Sequence, residues 1–156
     1  MTLPRVLQVD WKRQNVSWAQ DDSAMLWRRR LYFSDFAAAA TTGNKDIASF
    51  PGGLLIEGAF FWLITNFTGG GAATATLSAG TTGSAAAYVA ATDVFAGARK
   101  AIVGLTLVPG TFLNASVPTD SATVRFALVA SVNTNLLTTG SVDVYLRLRA
   151  ASLEVS

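Results

Sequence analysis

The segment Ser141-Val142-Asp143-Val144-Tyr145-Leu146-Arg147-Leu148-Arg149 alternates along its whole length between aliphatic residues and polar, charged or aromatic ones. Valine and leucine occupy the even-numbered positions, and serine, aspartate, tyrosine and arginine occupy the odd-numbered ones. A period of two is typical of a β-strand that packs one face on a core and turns the other face to solvent. The segment therefore predicts a half-buried strand near the end of the chain.

Further strands are predicted upstream, separated by turns rich in glycine and proline. The segments that read as strands are residues 23–33, 54–67, 72–79, 99–108 and 122–132. A parallel sheet needs long helices between its strands, and the short connections here do not provide them. The pattern therefore predicts an all-β protein with an antiparallel β-sandwich, for which a jelly roll is the most specific form.

Two parts of the chain depart from this pattern. Residues 84–95 predict one short helix, because alanine favours helices and Tyr88, Val89 and Thr92 lie three to four residues apart. Residues 1–22 are polar and irregular, and we interpret them as an N-terminal arm that precedes a single sandwich domain of residues 23–156.

The arm carries the residues that we predict to bind a partner. These are Trp11, Lys12, Arg13 and Trp18. Tryptophan provides a large contact area at interfaces, so the two tryptophans would anchor the arm on a neighbouring subunit. Packing of both tryptophans on their own domain is the alternative, and the sequence leaves it open.

The composition indicates a surface that is partly buried against another protein. Half of the chain is apolar (51%) and only 14% is charged, compared with about 25% in soluble domains. Self-association is the simpler explanation. A nucleic-acid partner is not expected, because the net charge is only +2 and such binders carry a broader basic surface with stacking aromatics.

Several classes of chemistry lack their usual residues. The chain has no cysteine and no histidine, so thiol chemistry and the commonest general base and metal ligand are missing. The only adjacent carboxylates, Asp21 and Asp22, would point to opposite faces of a strand. The glycine-rich residues 69–83 lack the lysine of a phosphate-binding loop. We therefore expect no enzyme activity, no metal and no cofactor.

One carboxylate stands out, because Glu57 lies inside an apolar strand. It is interpreted either as an outward-facing residue or as a buried partner of Arg99 or Arg125.

The apolar run around Glu57, residues 53–67, is shorter than the roughly 20 residues needed to span a bilayer. The start, Met1-Thr2-Leu3-Pro4-Arg5, lacks the apolar core of a signal peptide. We therefore expect no membrane partner, and we expect the protein to be synthesised in the cytoplasm.

Two segments resemble recurring parts of small virion proteins of tailed bacteriophages. The first is Thr76-Leu77-Ser78-Ala79-Gly80-Thr81-Thr82-Gly83, followed by Ala87-Tyr88-Val89-Ala90-Ala91-Thr92-Asp93-Val94. The second, Leu137-Thr138-Thr139-Gly140-Ser141-Val142-Asp143-Val144-Tyr145, is similar to the closing strand of those proteins. The resemblance covers residues 54–149 and carries over no active-site residue.

The resemblance implies a jelly-roll subunit, often a homotrimer, on the outer capsid surface of a phage particle. A cement or decoration protein of this kind would bind the major capsid protein and stabilise the shell after assembly in the host cytoplasm. The alternatives are a tail, neck or head-fibre component and a carbohydrate-binding receptor module. For the last of these, Trp62 and Tyr145 are available, but the sequence shows no cluster of aromatics with carboxylates.

Overall fold

Most of the described chain is β-strand. The computed structural model describes residues 6–8, 17–19, 25–51, 54–106, 111–112 and 121–150 of the 156-residue chain. The strands in these residues are β1 Val6–Gln8, β2 Ser17–Ala19, β3 Met25–Tyr32, β4 Thr42–Pro51, β5 Leu54–Thr68, β6 Ala75–Gly80, β7 Val89–Asp93, β8 Ala101–Thr106, β9 Thr111–Phe112, β10 Ser121–Ala130 and β11 Thr139–Ala150. Two short 3₁₀ helices, Phe33–Phe36 and Thr134–Leu136, lie in connections.

Strands β3 to β11 form two antiparallel sheets. Sheet I has the order β3-β11-β5-β8, and β9 also pairs with the start of β5. Sheet II has the order β4-β10-β6-β7. The aromatic rings of Trp27 from sheet I and Phe126 from sheet II stack with their centroids 6.4 Å apart, so the two sheets face each other across a shared core.

The strand order is that of a jelly roll. The chain forms one long antiparallel hairpin whose turn lies between β6 and β7. From the open end of this hairpin to its turn, the strand pairs are β3–β11, β4–β10, β5–β8 and β6–β7. Rolling that hairpin adds the pairs β11–β5 and β10–β6, which close the two sheets. Eight antiparallel strands wound in this way form a jelly roll. The predicted all-β sandwich is therefore confirmed.

The core forms because alternate residues of each strand point between the sheets. Val142, Val144, Leu146 and Leu148 of β11 are all buried, as the alternation of the last strand predicts. Other strands contribute larger apolar side chains, and these are Trp27, Leu31, Ile56, Phe61, Leu63, Phe67, Leu77, Val124, Phe126 and Leu128. Burial of such apolar surface is the main force that stabilises the fold.

The predicted helix at residues 84–95 is wrong. Residues 84–88 form turns, and Val89–Asp93 is strand β7 on the edge of sheet II. The backbone N–H of Tyr88 donates to the carbonyl of Ala79 on β6 at 2.9 Å, and Val89 pairs with the same residue. Pairing with β6 and burial of Tyr88 and Val89 outweigh the weak helical preference of the alanines.

One end of the sandwich is held by the hydroxyl of Thr134, which is buried in the β10–β11 connection. The hydroxyl donates to the carbonyl of Phe36 at 2.6 Å and accepts from the N–H of Ala38 at 3.1 Å. The backbone N–H of Thr134 also donates to the carbonyl of Ala40 at 2.8 Å. These bonds link the β10–β11 connection to the β3–β4 connection.

The predicted arm at residues 1–22 falls mostly outside the described residues. Of this region, β1 and β2 are described, and they pair antiparallel with Val6 opposite Ala19 and Gln8 opposite Ser17. Within the described part of the chain, no helix is long and apolar enough to cross a membrane.

Candidate interaction surface on the outer face of sheet I

The outer face of sheet I carries arginines and aromatic residues. Its composition follows from the core, because Trp27, Leu31 and the aliphatic residues of β11 point inward and their neighbours must point outward. We call this surface the arginine–aromatic face. Its residues are Leu26, Arg28, Arg30 and Tyr32 of β3, Asp143, Tyr145, Arg147 and Arg149 of β11, Glu57, Phe60 and Trp62 of β5, and Ile102 of β8.

Asp143 is the centre of a first ionic cluster on this face. Its side chain is only 2% exposed, although it points away from the core, because Arg28 and Arg30 of the neighbouring strand cover it. Arg30 Nε donates to Asp143 Oδ1 at 2.7 Å and its terminal nitrogen donates to Oδ2 at 3.0 Å. Arg28 also donates to Oδ2. The first cluster is thus one carboxylate held by two guanidinium groups.

The ionisation of Asp143 is tuned by these contacts. Burial raises the pKa of the Asp143 carboxyl, but the hydrogen bonds from Arg30 and Arg28 and their positive charges outweigh burial. The net result is a pKa below the ordinary value, so the carboxylate is ionised at neutral pH. The same hydrogen bond from Arg30 raises the pKa of that guanidinium.

Glu57 is the centre of a second cluster of the same design. Its carboxylate lies 2.9 Å from Arg149 Nε and 3.3 Å from Arg147 Nε. A shift in the pairing register between β5 and β11 occurs here, since Gly58 is opposite Arg147 while Ile56 is opposite Leu148. The extra residue in the bulge is Glu57, which explains how a glutamate in an apolar strand reaches the outer face. Its partners are therefore Arg147 and Arg149, and the alternative pairing with Arg99 or Arg125 is wrong.

A pair of stacked aromatic rings lies between the two clusters. Tyr145 of β11 stacks on Phe60 of β5, with ring centroids 4.5 Å apart and planes inclined by 9°. The Arg28 guanidinium carbon lies 5.7 Å from the centre of the Tyr145 ring, within the range of a cation–π contact. Trp62, opposite Asp143, and Ile102, opposite Trp62, extend the apolar part of the face towards β8.

The outer face of sheet II is different. Its central positions hold small side chains, including the nearly buried Ser78 and Ala127. Its ion pair joins Arg125 and Asp46 through two hydrogen bonds of 2.7 Å each, and the Arg125 hydrogen bond lowers the pKa of Asp46. Among the side chains that the structure describes, the two outer faces therefore differ in size and charge, and the face of sheet I is the one that combines several arginines with aromatic rings.

The carboxylates of the arginine–aromatic face are all ion-paired. Both of its carboxylates are already engaged by guanidinium groups, an arrangement unlike that of a general base or acid waiting for a substrate proton. Within the described ranges, no three histidine, cysteine, aspartate or glutamate residues lie together in a way that could hold a metal ion.

The binding residues predicted from sequence fall almost entirely outside the described residues. Trp11, Lys12 and Arg13 are outside the described residues, and of Trp18 only its place in β2 is described. Sequence reasoning missed both ionic clusters. In each cluster the sequence contains two arginines that lie two positions apart on one strand. This pattern indicates an ionic cluster only when the carboxylate on the neighbouring strand is known.

The structure also brings together two aromatics that the sequence left separate. Trp62 and Tyr145 lie on the same outer face, on adjacent strands, with Phe60 and a carboxylate beside them. The interpretation that no cluster of aromatics with carboxylates is present is therefore wrong.

Comparisons of the chain with protein-family models, with curated proteins and with solved structures found no match. The resemblance to virion proteins of tailed phages therefore stays a prediction.

Proposed function

We propose that the chain is a non-enzymatic structural protein of a tailed-phage particle, namely a cement protein that binds the outer surface of the capsid and stabilises the shell. The observation that carries the proposal is the arginine–aromatic face. Arginine, tyrosine and tryptophan are the residues that dominate the energy of protein–protein interfaces, and this face presents them on a rigid sheet.

The fold suits this role because the face is built on paired strands above a shared core. The pairing of β3, β11 and β5 sets the spacing of their outward side chains. A subunit of this kind stabilises a shell by adding contacts that bridge neighbouring capsid subunits. The low charged fraction of 14% supports further contacts between copies, and a homotrimer is the assembly that the resemblance implies.

The test is an add-back experiment with particles of the encoding phage that are assembled without the chain. We expect the purified protein to co-sediment with these particles to saturation and to raise the temperature at which they release their DNA. Protein unfolded and quenched before mixing is the control for trapping in the pellet. Particles that neither bind the protein nor gain stability would rule out the cement role.

The position on the particle separates the cement role from the alternative of a tail, neck or head-fibre component. Gold-labelled antibodies against the chain would decorate the whole capsid surface of intact particles for a cement protein. Labelling confined to one vertex, the neck or the tail would support the alternative.

A second candidate function is a carbohydrate-binding receptor module. The observation that favours it is the shared outer face of Trp62, Phe60 and Tyr145, because sugar rings stack on aromatic side chains and bond to nearby charged groups. A glycan array discriminates the two functions. Binding of a defined glycan that is lost in Trp62→Ala would support the receptor module, whereas capsid binding without a glycan signal supports the cement protein.

A further inference from the structure

The two ionic clusters leave most of their hydrogen-bond donors unused. A guanidinium carries five N–H donors and a carboxylate has room for about four, yet Asp143 receives three hydrogen bonds from its two arginines. The arginine side chains are 42% to 62% exposed, while the carboxylates that hold them are 2% and 21% exposed. Asp143 is therefore a buried anion and Glu57 a partly buried one, and each is capped by two arginines whose side chains are about half exposed.

From this geometry we propose that the arginine–aromatic face docks onto an acidic surface of a protein partner, with each cluster binding carboxylate side chains of that partner. The inference deepens the proposed function by naming the chemistry of the partner surface. Arginine binds carboxylates through two parallel hydrogen bonds, which fixes both position and orientation. The acidic groups of the partner would lie on either side of an apolar contact with the Tyr145–Phe60 stack.

Charge and preorganisation both favour an anionic partner. Four arginines and two carboxylates leave the face with an excess of two positive charges. Asp143 and Glu57 hold the guanidinium groups in place before binding, so less side-chain entropy is lost on association. The segment from Asp143 to Arg147 spans about 13 Å along β11, which sets the approximate spacing of the acidic groups that the two clusters would bind.

The apolar part of the face favours a polypeptide over an acidic polysaccharide. Leu26 and Ile102 are each 52% exposed and Tyr32 is 49% exposed. Exposed aliphatic side chains gain free energy only when apolar groups of a partner cover them, and a protein surface supplies such groups beside its carboxylates. A sugar chain would leave these aliphatic residues in water.

A second copy of the chain is a poor occupant of the same face. A two-fold contact places the same patch of each copy against the other, so the arginines would meet arginines. The outer face of sheet II is no better, because Asp46 on that side is already bonded to Arg125. Charge complementarity therefore selects a different, acidic protein.

The experiment follows the amide NMR spectrum of the isotope-labelled protein during titration with a random copolymer of glutamate and tyrosine. Polygalacturonate, an acidic polysaccharide, is titrated in parallel. We expect the copolymer to shift amide signals of β3, β5 and β11 and to leave the outer positions of sheet II unchanged. Binding should weaken steeply between about 0.1 M and about 1 M salt, where screening shortens the range of charge interactions.

The test variant is Arg28→Gln combined with Arg147→Gln. It removes one arginine from each cluster, while Asp143 keeps Arg30 and Glu57 keeps Arg149, so neither carboxylate is left unpaired. The matched control is Lys45→Gln combined with Arg125→Gln, which removes the same charge and two ion pairs from sheet II. We expect copolymer affinity to fall by about thirty-fold in the test variant and by less than about threefold in the control.

Three results would overturn the inference: equal losses in the two variants, stronger binding of polygalacturonate than of the copolymer, or no shifts on sheet I. The same variants, tested in the particle add-back experiment, distinguish failure of the acidic docking face from failure of the cement role. Particles that bind the wild-type protein and the test variant equally would refute the acidic docking face and leave the cement role standing. If particles do not bind the wild-type protein, the cement role fails, and the copolymer titration still decides the inference.

Discussion

At the scale of single residues, Tyr88 places a polar atom in the core without the usual compensation. The residue is 1% exposed, and its hydroxyl has no hydrogen-bond partner in the described part of the chain. Burial raises the pKa of the phenol, so the hydroxyl stays protonated at neutral pH. A buried polar group without a partner destabilises a protein by about 1 to 3 kcal/mol.

We therefore expect Tyr88→Phe to leave the free energy of unfolding unchanged or to raise it by about 1 kcal/mol, because the ring keeps its packing and the desolvated hydroxyl is removed. Urea unfolding followed by fluorescence measures the change. Tyr88→Ala is the packing control and should lower stability by about 3 to 5 kcal/mol. A clear loss of stability in Tyr88→Phe would mean that the hydroxyl has a partner in the native protein.

At the scale of elements, one hydroxyl adds side-chain hydrogen bonds to the backbone bonds between the β3–β4 and β10–β11 connections. Thr134 donates to the carbonyl of Phe36 and accepts from the N–H of Ala38. The packing leaves no spare room, since a side-chain carbon added at Gly43 would lie 1.8 Å from the Phe36 oxygen. Among the described residues, Thr134 is the one whose side chain forms hydrogen bonds with both Phe36 and Ala38.

Thr134→Val keeps the shape of the side chain and removes both hydrogen bonds. We expect it to lower the free energy of unfolding by about 2 to 3 kcal/mol, because the Phe36 carbonyl and the Ala38 N–H lose a partner. Thr134→Ser retains the hydroxyl and should cost about 1 kcal/mol for the lost methyl group. The midpoints of urea unfolding rank the stabilities of the wild-type protein and the two variants. A valine variant at least as stable as the serine variant would contradict the role of the hydroxyl.

The elements also show where sequence reasoning succeeds and where it fails. Strand β11 was predictable because its alternation places valine and leucine on the side that any sandwich must bury. Strand β7 was not, because its alanines carry a helical preference that only pairing with β6 overrides. The site was least predictable of all. Glu57 and Asp143 find their arginines through strand pairing and a register shift, and no sequence pattern encodes these contacts.

At the scale of the whole molecule, the two outer faces differ in the size and charge of their side chains. The arginine–aromatic face gathers four arginines around two carboxylates. The described part of the sheet II face has small side chains at its central positions and carries the half-buried Arg125–Asp46 ion pair. The jelly roll makes this difference possible, because the two sheets share one core and their outer positions are free to differ.

The ionised carboxylates also make the stability of the whole fold depend on pH. Burial raises the pKa of Asp143 in the folded protein, but the hydrogen bonds and positive charges of Arg30 and Arg28 together lower it below the ordinary value, and the hydrogen bond from Arg125 lowers the pKa of Asp46. When the pH falls, a carboxyl whose pKa is lowered by folding takes up its proton at a higher pH in the unfolded protein than in the folded protein. Acid therefore favours the unfolded state. Its contribution is therefore complete well above the ordinary carboxyl pKa of about 3.9 and is lost as the pH falls through the folded value.

We expect the free energy of unfolding of the wild-type protein to fall on acidification below about pH 4, and the Asp143→Asn variant to fall less. At pH 7 the variant should be less stable by about 1.5 to 3 kcal/mol, which is typical of lost hydrogen bonds to a charged group. Asp46→Asn is the comparison on the other face and should cost less, because Asp46 is more exposed than Asp143. Urea unfolding at a series of pH values gives the three curves. If the wild-type and Asp143→Asn curves stay parallel down to the lowest pH, the stabilising carboxylate is not Asp143.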